Sequence, residues 1–176
     1  MRTRDFLMLV QERLEALLPP SALDGRSFQA RVRFNLLQVY FDHPSIHYEV
    51  WPQKKTGRIE IGLHFEGEGE TNYRWAAVLA ERMPQVQATL GPTMELEEWT
   101  PVWTRLHHTL PMGALDEAEA SEAAQRLAAL IQTMEPILEE CRPLLSQAPA
   151  PSLRPAPRGR PWHARRRRLG GRRPLP

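Results

Sequence analysis

Residues 46–65, IHYEVWPQKKTGRIEIGLHF, carry the pattern on which the fold turns. Ile46, Tyr48 and Val50 alternate with His47, Glu49 and Trp51. After Pro52-Gln53-Lys54-Lys55-Thr56-Gly57, the residues Ile59, Ile61, Leu63 and Phe65 alternate with Arg58, Glu60, Gly62 and His64. A period of two sends successive side chains to opposite faces of a strand, so the stretch reads as a β-hairpin with one apolar face. Placing Trp51 opposite Arg58 sets Val50 against Ile59, Tyr48 against Ile61 and Ile46 against Leu63, and that face can be buried whole. A lone hairpin is marginal in water, so the flanking segments must supply cover and further strands.

Those segments read as follows. Residues 3–18 have helical spacing, with Phe6, Val10, Leu14 and Leu17 on one face, Thr3 as a candidate cap and Pro19-Pro20 as a stop. Phe28, Ala30, Val32, Phe34 and Leu36 alternate with polar residues until the phase changes at Leu36-Leu37, which calls for a bulge or a break between short strands. Beyond Phe65, a helix capped by Thr71 or Asn72 runs to Leu90 with a kink at Pro84, and Gly91-Pro92 ends it. Residues 95–99 and 102–110 read as two strands. Neither phase of the second is cleanly apolar, which suits an edge strand. Asp116 then caps a last helix that buries Leu127, Leu130, Ile131, Met134 and Leu138 and is bent and ended by Pro136 and Pro143. Runs of adjacent strands separated by single helices predict an α+β fold: a mainly antiparallel sheet built on the central hairpin, with helices packed on one face.

The 176 residues divide by charge. Residues 1–145 hold all 21 acidic side chains against 12 Arg and 2 Lys, a formal charge of −7, whereas 146–176 hold nine Arg and no acid. The expected organisation is an acidic domain, 1–145, followed by a Pro/Arg-rich basic tail, 146–176, that is disordered unless bound. Cys141 is the only cysteine, so no intrachain disulfide can form. No apolar run reaches membrane-spanning length and the amino terminus lacks the layout of a signal peptide, so the expectation is a cytoplasmic protein without membrane contact.

The run Arg58-Ile59-Glu60-Ile61-Gly62-Leu63-His64-Phe65, a helix closing in Leu90-Gly91, then Glu95-Leu96-Glu97-Glu98-Trp99 and a strand before a final helix resemble a bacterial domain of unknown function found alone or beside restriction-type nuclease domains. The likeness covers roughly residues 28–140. It implies an association with nucleic acid or defence loci and carries over no active site.

Tests for chemistry are mostly negative. A nuclease of that kind needs an Asp followed by Glu-x-Lys on the next strand; Asp42 and Glu49 have tolerable spacing, but the lysine is missing. There is no Gly-x-Ser-x-Gly, and no phosphate loop, because the acids around Gly67-Glu68-Gly69 would repel phosphate. Cys141 reads as a small core residue. Trp51 beside Arg58 reads as a cation-π pair. In the hairpin register above, Glu49 lies opposite Glu60 and His47 opposite Gly62, with His64 diagonal to it. Those two carboxylates and two imidazoles could ligate a divalent metal or share a proton, or form the solvent face of a half-exposed sheet. Of His107 and His108, which project to opposite faces, at most one can join any site.

The tail gives the strongest functional signal. Arg154, Arg158, Arg160, Arg165, Arg166, Arg167, Arg168, Arg172 and Arg173 surround Trp162 and His163, offering guanidinium forks to phosphates and a ring able to stack on a base. The leading expectation is a non-enzymatic, cofactor-free protein whose tail contacts RNA or DNA and whose acidic domain contacts another protein. The rivals are an interaction or oligomerisation module pairing through the strand at 102–110, and a metal-dependent enzyme using His47, Glu49, Glu60 and His64.

Overall fold

The computed structural model describes residues 1–146, and the tail residues expected to bind nucleic acid lie outside them. The chain runs α1 (Thr3–Leu17), β1 (Gln29–Arg33), β2 (Leu36–Tyr40), β3 (Ile46–Gln53), β4 (Arg58–Phe65), α2 (Gly69–Ala80), α3 (Met83–Leu90), β5 (Glu95–Glu98), β6 (Thr104–Pro111) and α4 (Glu117–Cys141). The six strands form one antiparallel sheet in the order β1-β2-β3-β4-β6-β5. The central hairpin β3–β4 is therefore the middle of the sheet, and the architecture is α+β with helices over one face.

That face is the apolar phase of each strand. Leu37 and Val39, Tyr48 and Val50, Ile59, Ile61, Leu63 and Phe65, and Leu106 are all buried against Phe6, Leu7, Val10 and Leu14 of α1 and Leu127, Leu130, Ile131 and Met134 of α4. The Tyr48 hydroxyl donates to Glu135 of α4 at 2.7 Å, and the other oxygen of Glu135 accepts from Arg26 at 2.7 Å. Burial, then the Glu135 carboxylate, holds the Tyr48 phenol well above its ordinary pKa, so the hydroxyl remains a donor. Helix α4 opens on a reciprocal capping box, in which Asp116 accepts from the Glu119 amide and Glu119 accepts from the Asp116 amide. It continues through Pro136 to Cys141, which is fully buried as expected.

Several local expectations are corrected. The hairpin register is displaced by two residues, with Gln53 opposite Arg58, Trp51 opposite Glu60, Glu49 opposite Gly62 and His47 opposite His64. The Gln53 carbonyl accepts from the amides of both Thr56 and Gly57, and Gly57 adopts a left-handed backbone (φ 66°). The loop thus closes on four residues, and Pro52 joins the strand. Pro52 is tolerated because the β2 pairing ends at Val50, where no ladder donor is needed from that side. A shift of two keeps every side chain on its face. The phase change near Leu36 is a two-residue hairpin turn at Phe34-Asn35. Thr3 lies inside α1 and makes no capping bond, since Arg2 holds the cap position. The helix expected to continue through a kink to Leu90 is two helices, with Pro84 in the first turn of α3, where its missing N–H is not needed.

Strand β6 is not an edge: it pairs with β4 on one side and β5 on the other. Its mixed phases arise because both faces of the sheet are covered, one by apolar and one by polar groups. The sheet edges are β1 and the four-residue β5, whose Glu95, Glu97 and Glu98 discourage further pairing. Ile61 lies at the centre of the apolar face, fully buried. Ile61→Ala is expected to lower the unfolding free energy by about 2–5 kcal/mol, read from urea denaturation.

Candidate functional site: a buried ionic face

The second face of the sheet is not solvent-exposed. His47, Glu49, Glu60 and His64 are 1%, 5%, 1% and 0% exposed. They project from the polar phase of β3 and β4, and β2 and β6 add Gln38, Arg105 and His107 on either side. The loop after β5 folds Trp99 and Trp103 over this layer. Trp99 packs edge-on to Trp51 (6.4 Å) and to His64 (5.8 Å), tilts against Trp103 (6.2 Å), and lies over the Arg105 guanidinium at 4.9 Å. The expected Trp51–Arg58 pair does not form, because the register shift moves Arg58 to the hairpin end, where it donates to Thr109 Oγ1 at 2.8 Å.

Burying carboxylates is tolerated only when each is paired. Arg105 Nη1 donates to both oxygens of Glu60 (2.7 and 2.8 Å), while its Nε donates to Glu97 at 2.8 Å. Gln53 adds a 2.6 Å bond to Glu60. Glu49 accepts from Gln38 at 3.0 Å and lies 3.1 Å from His47 Nε2. His47 Nδ1 is 2.7 Å from the Pro44 carbonyl, so that nitrogen is the donor there, and Nε2 lies between Glu49 Oε1 at 3.1 Å and the Gln38 amide nitrogen at 3.3 Å. Arg31 Nε donates to Gln38 Oε1 at 3.0 Å, and Gln38 in turn holds Glu49.

His64 is the exception to this pairing. Glu60 Oε1 is 3.2 Å and Glu49 Oε2 3.8 Å from its Nε2, and Glu66 Oε1 is 3.6 Å from its Nδ1. Glu49 and Glu66 stand beyond hydrogen-bond distance and Glu60 lies off the N–H direction, so among the described residues neither nitrogen has a well-formed hydrogen bond. Burial disfavours the imidazolium, but Glu60, Glu66 and Glu49 outweigh it and push the His64 pKa up to about 9. Conversely, burial is outweighed at Glu49 by the bond from His47 and the charge of His64, and at Glu60 by His64 and Arg105. Both carboxyls are held below their ordinary range. His107 is pushed down by burial and by Arg105, so it is neutral; its Nε2 lies 3.0 Å from Glu97 without an aligned bond, because Arg105 already takes that charge. His108 faces the helices, where burial and Arg126 lower it, and stays out of the site.

Gly62 makes this convergence possible. A Cβ there would stand 2.8 Å from His107 Cβ, 3.1 Å from the Leu106 carbonyl and 3.3 Å from His64 Nε2. Only the absence of a side chain lets the rings and Glu49 share the space.

The layer opens to solvent at one end. Arg31, Arg33, Phe34, Gln38, His43 and Pro44, with His47 and Glu66, line an open groove of about 450 Å³ beside the β1–β2 hairpin. The structure thus brings His47, Glu49, Glu60 and His64 together, as their shared phase predicts, although through a different register. Glu66, Arg105, Gln38 and the covering tryptophans escaped the sequence reading. Glu66 continues the His64 phase by one step, and the Arg105/His107 phase of β6 carried the same signal. Asp42 is apart, 3.7 Å from Arg26 and 3.4 Å from Arg142. The tail candidates Arg154 to Arg173, Trp162 and His163 lie outside the described residues. Comparison with protein-family models, curated proteins and solved structures gives no match.

Two outcomes follow from this geometry. Gly62→Ala should destabilise the chain by about 1–3 kcal/mol in urea denaturation, since backbone or His107 must move. Stability should peak near pH 6.5. Glu49 and Glu60, lowered in the folded state, contribute fully above about 4.5 and lose that contribution as pH falls through their folded values. His107 and His108, also lowered, favour unfolding as pH falls below 6.5. His64, raised, contributes fully below 6.5 and loses its contribution as pH climbs through about 9. Urea unfolding at pH 5, 6.5 and 9 measures this, and equal stability at 6.5 and 9 would contradict the imidazolium assignment.

Proposed function

We propose that this is a non-enzymatic, cytoplasmic nucleic-acid-binding protein in which the arginine-rich tail anchors a polynucleotide and the groove beside β1–β2 receives its single-stranded part. The observation that carries the reading is the character of that hairpin within an acidic domain. From Gly25 to Phe41 there are three arginines and no Asp or Glu. Arg31 and Arg33 occupy the groove rim, and Phe34 between the strands is 83% exposed. Phe34 also has φ 54°, a left-handed backbone that costs a non-glycine residue on the order of 1 kcal/mol and that Gly or Asn would adopt more readily. A strained, exposed aromatic flanked by guanidinium groups suits stacking on a base while its neighbours hold phosphates. The sequence-independent part of the affinity then comes from the nine tail arginines. The resemblance to domains found beside restriction-type nucleases supports the same reading.

Among the described residues no helix is long and apolar enough to cross a membrane. The rival oligomerisation reading moves from the strand at 102–110, whose Thr104–His107 part is paired by β5, to β1, whose outer edge is unpaired among the described residues.

Full-length chain should bind mixed-sequence single-stranded RNA or DNA with steep salt dependence, measured by fluorescence anisotropy. A chain ending at Leu145 should lose most of the salt slope, about 0.7 per phosphate contact removed. Phe34→Ala should weaken single-strand binding roughly tenfold or more with little effect on duplex. Negligible binding by the full-length chain at low salt would reject the proposal.

A further inference from the structure

We propose that His47, His64 and Glu66 form a binding site for a zinc-class divalent cation at the inner end of the groove. One nitrogen of each imidazole and one carboxylate oxygen of Glu66 lie within 4.8 Å of one another. A tetrahedral ion with ligands about 2.0–2.1 Å away spaces them about 3.4 Å apart. His64 Nδ1 and Glu66 Oε1 are 3.6 Å apart, too far for a good hydrogen bond and close to the edge of such a tetrahedron. The independent sign of a ligand is His64 itself. Its ring is fully buried and, among the described residues, neither nitrogen has a hydrogen-bond partner; His107 and the Trp99 indole N–H beside it share that lack, but of these only His64 has a second imidazole and a carboxylate within ligating reach.

The surrounding groups complete the arrangement that ligating histidines require, in which the second ring nitrogen faces an acceptor. With the ion in place of the Nδ1 proton, which is released to solvent, the remaining Nε2–H of His64 lies beside Glu60 at 3.2 Å. For His47 either nitrogen can ligate, because the Pro44 carbonyl lies beyond Nδ1 and the Glu49 carboxylate beyond Nε2. Glu49 and Glu60 are thereby positioning residues. Glu60 is bound on both oxygens by Arg105, and Glu49 is held by Gln38 and His47, whereas Glu66 has no such bond and its side chain is 21% exposed. Two imidazoles and one carboxylate suit zinc and its first-row neighbours better than calcium or magnesium, which take oxygen ligands. His47 and Glu66 both line the groove, so the ion has an entry path, and Arg31 and Arg33 on the same groove can hold an anion.

The test is titration of metal-stripped full-length chain with Zn²⁺ by calorimetry, together with Co²⁺ substitution followed by visible absorption. One equivalent should bind, and the Co²⁺ form should show the intense bands of a tetrahedral site. Glu66→Gln and His47→Gln should each weaken Zn²⁺ binding by roughly 100-fold or more and abolish the Co²⁺ bands. Glu66 is partly exposed at the strand end, so that variant keeps the fold, checked by circular dichroism. Absence of stoichiometric uptake by the parent chain would overturn the proposal. So would uptake unchanged in a folded Glu66→Gln chain, which would place the ion on other ligands such as His163.

Discussion

The structure depends on the requirement that charges taken from water be paired. Glu60, 1% exposed, sits beneath Arg105, and the same guanidinium reaches Glu97 on the edge strand β5. This one side chain ties β4, β6 and β5 together across the polar face, and its guanidinium carbon sits 4.9 Å from the Trp99 ring centre. An unpaired carboxylate at this depth would take up a proton or draw in water, so the β5–β6 loop can close over the sheet only because Arg105 is there.

The sheet consequently has two interiors of different kinds. On the helical side, interchangeable apolar side chains fill the space between β3–β4 and α1 and α4, and directed bonds between the layers come from Tyr48 to Glu135 and from Thr104 Oγ1 to the Asn72 carbonyl. On the other side, position is set by hydrogen-bond geometry, and Gly62 leaves the room in which the rings of His64 and His107 meet. A layer of this second kind fixes a unique arrangement when it is satisfied, and any shortfall stands out. The shortfall falls on His64, His107 and the Trp99 indole N–H, which cluster around Gly62 and the covering loop.

The groove connects this layer to the most cationic part of an otherwise acidic domain. Arg31, Arg33 and Phe34 sit at its rim, and His47 and Glu66 at its inner end. A cation at the inner end and guanidinium groups at the rim would both attract anions, so the proposed ion site and the proposed polynucleotide contact are compatible without depending on each other.

The sequence by itself determined the strands of the hairpin, their two faces and the buried side of α4, because period-two and helical spacing are local properties that survive a register shift of two. It also placed His47, Glu49, Glu60 and His64 on one face. Tertiary structure decided that this face is buried, since that depends on Trp99 and Trp103 arriving from a loop some forty residues along the chain, and on Arg105 lying opposite His64 rather than on an edge. It also decided the pairing of His47 with His64, through a four-residue turn closed on Gly57. Glu66 entered the site for the same reason: its strand position is legible, but its distance to two imidazoles is a property of the assembled sheet.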